Sequence, residues 1–319
     1  HASRVRLADT DGTGTADLLY FNDQGLHLWP NHAGNAFGQR LHNESIPAQA
    51  LRTLAITDLF GTGMATLTWA PTRGNHQAPL RHPSPSSTEK PYLLQSITGS
   101  NGLQTAIHYE PSTASYLRDR KAGTPWATKL PFPVHLVAKV ETYDPVAKTR
   151  LVTQYQYHHG HYDGVEREFR GFGRVDQLDA ETFEDASGKT AFPTAPIDPV
   201  QGQDELAQPP VLTRTWFHLG AWRAQNTSAL ELQAAYALEH WQGDSQAHAT
   251  LSCQVPEGLS PEEIPQAHRA LKGAILRQEI YGHTRQEGQW QLADVPLLVT
   301  EHAYQALRRQ PPLPAIANT

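Results

Sequence analysis

"YHHGHYDGVEREFRGFGRV", residues 157–175, packs three histidines, alternating Glu and Arg, and a Phe-Gly repeat into one short run. Its reading decides the fold. In an extended chain successive side chains point to opposite faces, so His159 and His161 share one side and His158 takes the other. Glu166, Glu168 and Arg170 then alternate with Arg167 and Phe169, and opposite charges on neighbouring strands can pair. Arginine suits such pairs because its planar fork matches a carboxylate, and the chain holds 19 Arg to 7 Lys. Phe169 and Phe172 fall out of phase with a strict alternation. An extra residue is needed, and Gly171 or Gly173 marks a β-bulge or tight bend. The stretch therefore reads as a long strand that turns a corner and is pinned by Arg–Glu pairs. His159, His161, Tyr162, Asp163, Gly164, Glu166, Arg167, Glu168, Phe169, Arg170, Gly171, Phe172 and Gly173 form a structural motif in this reading.

The same run also carries metal-ligating residue types. Two of the histidines could meet Asp163, Glu166 or Glu168 around an ion. The H-E-x-x-H spacing that puts two imidazoles and a general base on one helix face is absent. Imidazoles around a Gly-rich turn, bonded to backbone, explain the run without a metal.

Working outward, the flanks keep a period of two. In "LQTAIHY", Leu103, Thr105, Ile107 and Tyr109 share a face. In "VHLVAKVETY", Val134, Leu136, Ala138, Val140 and Thr142 share one, with His135, Lys139 and Glu141 opposite. In "LVTQYQY", Leu151, Thr153, Tyr155 and Tyr157 line up against Gln154 and Gln156. Such alternation, rich in β-branched and aromatic residues, predicts half-buried antiparallel strands. Further strands are expected around 275–282 and 295–304. Two short helices are expected as well. One runs from the capping box of Ser228 and Glu231 to Gly243. The other lies between Ser260 and Gly273, and Pro265 argues for a start later than Ser260.

The first eighty residues repeat. "ADTDGTGTADLLYF" (8–21) returns as "TDLFGTGMATLTWA" (57–70), matching Asp9 to Asp58, Gly12 to Gly61, Gly14 to Gly63 and Leu18 to Leu67. A unit of about fifty residues with several short strands is the signature of a propeller blade. Asp9, Asp11, Thr13, Thr15 and Asp17 also follow the alternate spacing of a hard-cation loop, which makes Asp9, Asp11 and Asp17 candidate calcium ligands. The closing Glu of an EF-hand is missing, with Tyr20 in its place, and the second copy keeps only Asp58. An Asx-type turn in which Asp9 caps backbone N–H groups is the competing explanation. Residues 71–91 hold five prolines and little apolar content. They read as exposed loop, with a linker at 81–91 between a partial propeller at 1–80 and a strand-rich part at 92–319.

Composition excludes several classes. The net charge is −6 and the basic residues are scattered, against a nucleic-acid binder. Cys253 is the one cysteine, so neither an internal disulfide nor a Cys-based zinc site is available. No apolar run approaches eighteen residues, and no membrane insertion is expected. No nucleophile elbow or phosphate loop is present. The Glu262/Glu263 pair sits at a helix start, where the macrodipole accounts for it. The chain begins at His1, ends on "LPAIANT", and reads as part of something longer.

The repeat loops resemble FG-GAP/VCBS repeats. The run "YHHGHYDGVEREFRGFGRVDQLD", with "KPYLLQSITGSNGLQTAIHYEPST", "YLRDRKAGTPWATKLPFPVHLVAKVETYD" and "RALKGAILRQEIYG", resembles the B component of Tc toxin complexes, in the Rhs/YD-repeat shell superfamily. That resemblance implies a mainly β fold: the end of a β-propeller followed by the curved antiparallel sheet of a cocoon shell, with one or two short helices. It implies a non-enzymatic scaffold that encapsulates a cytotoxic polypeptide and gates its transfer. The partners implied are a pore-forming A component, an Rhs-type C component and the enclosed toxic polypeptide, in a secreted or extracellular assembly. No catalytic residue or organic cofactor carries over. Two other classes stay open: an adhesion or glycan-binding propeller module, and a carbohydrate-active β-enzyme.

Overall fold

Most of the stretches with period-two patterning become strand. The computed structural model describes residues 2–44, 46, 54–69, 90, 92–147, 149–183, 209–222, 235–244, 253–286 and 289–310. The chain divides into two units, one of His1–Gln95, His108–Ala114 and Phe132–Val137, the other of Ser96–Ile107, Ser115–Pro131 and Ala138–Thr319. The linker expected at 81–91 lies outside the described residues apart from Lys90.

In the first unit, β1 (Val5–Ala8), β2 (Asp17–Asn22), β3 (Gly25–Trp29) and β4 (Leu41–Asn43) form an antiparallel meander. A two-stranded sheet follows, of β5 (Ala55–Thr57) and β6 (Thr66–Thr68). The repeat seen in the sequence is also a repeat of register. Arg6 faces Leu19, Leu7 faces Leu18 and Ala8 faces Asp17; 49 positions on, Ala55 faces Thr68, Ile56 faces Leu67 and Thr57 faces Thr66. One core joins the two sheets: Leu19, Phe21, Leu26 and Ile46 cluster with Leu67 and Trp69, and Ala8, Leu28, Leu54 and Ile56 pack against them.

The larger sheet has nine strands: β7 (Ser96–Thr98), β8 (Gln104–Pro111), β9 (His135–Asp144), β10 (Thr149–Asp163), β11 (Glu168–Phe183), β12 (Val211–Phe217), β13 (Ile275–Gln286), β14 (Gln289–Leu292) and β15 (Leu298–Glu301). Its order runs β14-β13-β12-β11-β10-β9-β8-β7, with β15 also on β13. The decisive run is therefore not one strand turning a corner. It is the tip of the β10–β11 hairpin, and Glu166 and Arg167 sit in the turn. The Asp163 carboxylate accepts the Val165 and Glu166 N–H groups at 3.0 and 3.2 Å, an Asx turn that outcompetes extension there. The irregularity expected from the phenylalanine phases is real. His161 pairs with Gly171 while Tyr162 pairs with Phe169, leaving Arg170 as the extra residue of a bulge, beside Gly171 at φ +98°.

The face assigned to Leu151 is also corrected. Leu151 is 54% exposed whereas Val152 is 2% exposed. On the Leu151 side, Thr153 donates to Asp179 at 2.7 Å and Gln177 donates to the same carboxylate at 2.8 Å, so polar groups occupy what the alternation marked as the apolar face.

Two helices are given bounds. α1 (Ser112–Ala122) was not expected; α2 (Glu263–Arg269) was. α2 begins after Ser260, in line with Pro265, and Ser260 and Glu263 form a capping box ahead of it: Ser260 N donates to Glu263 Oε2 at 2.9 Å and Glu263 N to Ser260 Oγ at 3.3 Å. Of the helix expected from Ser228, residues 228–234 lie outside the described residues, and 235–237 are helical. Among the described residues no helix is long and apolar enough to cross a membrane.

Candidate functional site

β9 bonds to β10 only over residues 149–154. Beyond that the edge of β10 is taken by residues 127–129. Ala127 N donates to His159 Nδ1 at 3.0 Å, Thr128 Oγ1 to the Gly160 carbonyl at 2.9 Å, and Tyr162 N to the Lys129 carbonyl at 3.0 Å. His159 accepts a left-handed backbone, φ +58°, to make this fit. Gly160 is required beside it, because a Cβ there would come within 2.9 Å of Trp126, Leu130 and Phe172.

This geometry turns the histidines into a buried charged cluster. His158 Nδ1 lies 2.7 Å from Asp119 Oδ2, and its Nε2 lies 3.0 Å from Arg174 Nη2. A guanidinium only donates, so Nε2 must accept, and Nδ1 carries the proton given to Asp119. His159 is the opposite tautomer: Nδ1 accepts from Ala127, and Nε2 donates to Glu239 Oε1 at 2.7 Å. Arg174 ties the set together. It grips Asp176 with Nε and Nη2 at 2.9 and 3.3 Å and gives Nη1 to Glu239 Oε2 at 2.8 Å. Trp126 Nε1 donates to Asp119 at 2.6 Å, Trp216 Nε1 to Glu239 at 3.3 Å, and Arg214 Nε to Asp176 at 3.3 Å.

Burial alone would raise the Glu239 carboxyl. The His159 hydrogen bond and the Arg174 charge outweigh it and hold the group down at about 2. Arg174 is likewise held above its usual value, burial opposing the shift and Asp176 and Glu239 outweighing it. Both ring nitrogens of His158 and of His159 are engaged, so neither offers a lone pair to a metal without breaking the cluster.

A second buried charge lies two strands away. Glu279 on β13 is fully buried and accepts from Trp241 N at 3.0 Å, Arg277 Nε at 2.7 Å and the Tyr281 hydroxyl at 2.6 Å. Arg277 also pairs with Glu301 on β15. The segment 235–244 is thus held on the sheet at Glu239 and Trp241. It is held again at Tyr236, whose ring fills the notch left by Gly173. A Cβ on Gly173 would fall 2.0 Å from the Tyr236 hydroxyl. Gly173→Ala is expected to destabilise by about 1–3 kcal/mol, although alanine normally improves a strand. Combining it with Tyr236→Ala is expected to be markedly non-additive in urea unfolding. Simple additivity would mean that the notch does not matter.

The remaining motif residues hold the hairpin tip. Arg170, buried, reaches Asp163 at 3.1 Å and Glu168 at 3.1 Å, and Glu168 is met by Lys272 at 2.9 Å and Arg269 at 3.1 Å. Phe172 packs edge-on to Phe169 and Trp126. Gly164 lies in the turn with Glu166 and Arg167, and His161 is buried. Sequence reasoning missed Asp119, Arg174, Asp176, Arg214 and Glu239. Arg174 and Asp176, two apart on one strand face, carried a signal; Asp119 and Glu239, far along the chain, carried none.

In the first unit, Asp9, Asp11 and Asp17 do converge, with one carboxylate oxygen of each inside 4.8 Å of the others. Their oxygens already serve backbone donors. Asp9 accepts from Thr13 and Gly14 at 3.0 and 2.8 Å, Asp11 from Thr13 at 3.0 Å, and Asp17 from Asn31 and Thr10 at 2.8 and 3.0 Å. Asp58 repeats the Asp9 pattern on Thr62 and Gly63 at 2.9 and 2.7 Å. The second loop needs no further acid to keep this shape. We expect the melting temperature to be the same in excess calcium and in excess chelator; a calcium-dependent rise lost in Asp9→Asn would assign an ion to the loop.

Residues 31–195 match the family model described as the insecticide toxin TcdB middle/N-terminal region. No curated protein matches the chain. Among solved structures, the Photorhabdus luminescens Tc holotoxin pore, carrying a mutation in TccC3, is 31% identical over 95% of this chain and 13% of its own, with a TM-score of 0.73. The TcdB2–TccC3 crystal structure is 28% identical, covers 95% of this chain and 14% of its own, and has a TM-score of 0.73. TcdB2–TccC3–Cdc42 is similar at 28% identity, 95% and 14% coverage and a TM-score of 0.72. The mainly β architecture of open antiparallel sheets is thus shared with these structures, and the chain spans about a seventh of their length.

Proposed function

Because the chain belongs to the insecticide toxin TcdB middle/N-terminal region family, we propose that it is a non-enzymatic scaffold segment of a Tc toxin complex. In this reading residues 1–80 are propeller blades that take part in gating, and 92–319 begin the wall of a shell that encloses a cytotoxic polypeptide. The partners are a pore-forming A component and an Rhs-type C component, and the assembly acts outside the producing cell. The observation that carries the reading is the buried cluster around Arg174. Its imidazoles, carboxylates and guanidinium satisfy one another, which is the chemistry of a joint between strands and leaves no group in the cluster free for a reacting substrate. The register repeat of the first unit supports the propeller part, since repeated short-strand sheets stacked face to face are how a propeller is built.

The test is capture by purified partners. Immobilised A component and co-expressed C component are expected to retain the chain, and a glycan array is expected not to. Selective glycan binding with no capture by either component would favour an adhesion module. Hydrolysis of a glycan, lost on mutating one acid pair, would favour a carbohydrate-active enzyme.

A further inference from the structure

α2 (Glu263–Arg269) has no buried residue of its own. Leu271, in the turn that follows, is buried. Backbone bonds tie that turn to the end of β12: His218 N donates to the Ala274 carbonyl and Gly273 N to the His218 carbonyl, both at 2.8 Å. Lys272 and Arg269 reach Glu168 at 2.9 and 3.1 Å, but all three side chains are partly exposed, and such pairs hold weakly. The remaining contact is a stack of two imidazoles. The His268 ring lies on that of His218, with centroids 6.2 Å apart and planes within 13°. Gly220, at φ +62°, lets the chain pass close beneath α2, where a Cβ would lie 3.1–3.2 Å from the His268 carbonyl, Lys272 and Arg269.

Both rings suit the neutral state alone. His218 is buried, and its Nδ1 accepts the Gly220 N–H at 2.9 Å, so the neutral ring carries its proton on Nε2. A second proton would have to sit on Nδ1 and would break that bond. His268 Nδ1 is buried with no hydrogen-bond partner among the described residues, so no acceptor rewards a proton there. Burial, and then the neighbouring His268, push the His218 imidazole down to about 4, and burial lowers His268. The surrounding charges give no relief. Arg269 and Lys272 on the α2 side are cations, and Glu168 on the hairpin is committed to them and to Arg170. At the far end of α2, Glu263 pairs with Arg308. On β13, Glu279 pairs with Arg277. The segment 235–244 packs beside His218 through Tyr236 on Trp216 and Leu219; its Glu239 is taken by His159 and Arg174, and its His240 lies on Trp216. Among the described residues no carboxylate pairs with either ring.

We infer that the stacked His218–His268 pair is an acid-sensitive latch: it holds α2 and the turn after it on the sheet while both rings are neutral, and lets that segment lift away, ahead of the rest of the sheet, as the medium turns acid. Released rings return to the ordinary histidine value, so opening takes up protons and is favoured as pH falls from 6.5 towards 4. Glu168 does not set this window, because the Lys272 hydrogen bond holds its carboxyl below the ordinary range. A short segment with so little buried apolar surface opens locally without unfolding the whole. Its release would take Lys272 and Arg269 from Glu168 and so loosen the tip of the β10–β11 hairpin. The device works whatever the chain binds, and goes beyond the scaffold role.

Hydrogen–deuterium exchange of the full chain at pH 7 and pH 5, read by mass spectrometry and corrected for the intrinsic pH dependence of amide exchange, tests the latch. Protection of the amides from 266 to 272 is expected to fall at least about tenfold at pH 5, while the β10 amides from 150 to 158 keep theirs. His218→Gln/His268→Gln is expected to abolish the fall. His268→Gln alone sits at a half-buried position and leaves the His218–Gly220 bond in place. It is expected to cut the fall by at least about threefold. Unchanged protection at pH 5 overturns the inference. So does an equal fall in β10, which would mean general loosening, and so does a fall that persists undiminished in His268→Gln. Partner capture plays no part in the readout, so failure here stays distinct from failure of the proposed function.

Discussion

Glu239→Ala is expected to lower the stability of the protein by about 3–5 kcal/mol, the range for breaking a buried charged set by removing one partner. The carboxylate receives His159 Nε2, Arg174 Nη1 and Trp216 Nε1. Its removal leaves those donors in a site that water enters poorly, and it frees the segment that carries it. The loss should be shared with Arg174→Ala, so the double variant falls short of the summed singles by about 0.5–3 kcal/mol. Urea unfolding at neutral pH reads both. A loss under about 1 kcal/mol would show that the cluster is solvated and does not hold the strands. Glu239 also has a pH window. Its carboxyl sits at about 2 in the fold against an ordinary value of 4.5. A depressed acid gives stability that is complete above the unfolded value and is lost as pH falls from there through about 2.

A second large effect is expected in milder acid. His218 and His240 are both lowered to about 4 from 6.5, chiefly by burial, helped by His268 beside the first and by Arg277 beside the second. His218 accepts the Gly220 N–H at 2.9 Å and stacks on His268 of α2, while His240 meets the Trp216 ring edge-on. A lowered histidine is favoured neutral in the fold. Its stabilisation is complete above the unfolded value and is lost as pH falls from 6.5 towards 4, where the unfolded chain binds the extra proton. Each group approaches a slope of about 1.4 kcal/mol per pH unit once the unfolded histidine is mostly protonated, so moving from pH 6.5 to pH 5 should cost about 3 kcal/mol for the pair. The window lies above that of Glu239, so the two contributions separate. Urea midpoints from pH 7 to pH 4 test it, with His218→Gln/His240→Gln expected to flatten the dependence. An equally steep curve in that double variant would refute the assignment.

Legibility in the sequence followed the kind of force involved. Strands β8, β9, β10 and β13 announced themselves because alternation is a local pattern, whereas β12 (Val211–Phe217) was not expected. The bulge beside Gly171 was legible from two phenylalanines out of phase, and α2 from Ser260 ahead of it and Gly273 beyond it. α1 was not, because the face it buries is Ser112, Ser115 and Asp119, so no apolar stripe marks it. Its basic last turn of Arg120 and Lys121, followed by Gly123 at φ +82°, was a usable stop signal. The hairpin turn was misread because Glu166 and Arg167 continue an alternating charge pattern through residues that Asp163 pulls into an Asx turn. The histidine run was read as structural from its spacing, and its partners were out of reach: Asp119 lies 39 residues before His158, and Glu239 lies 80 beyond His159. Ion pairs between distant segments leave no periodicity.

That spacing bears on how the polypeptide matures. The β10–β11 hairpin is local and can close as soon as residue 183 is made, whereas the carboxylate that completes its polar centre is synthesised 65 residues after Arg174. Until it arrives, Arg174 and His159 must stay hydrated, which keeps that end of the hairpin open to water and to the segments still to come. Docking of residues 235–244 is then expected to exclude that water, because Glu239 brings the acceptor for both His159 and Arg174.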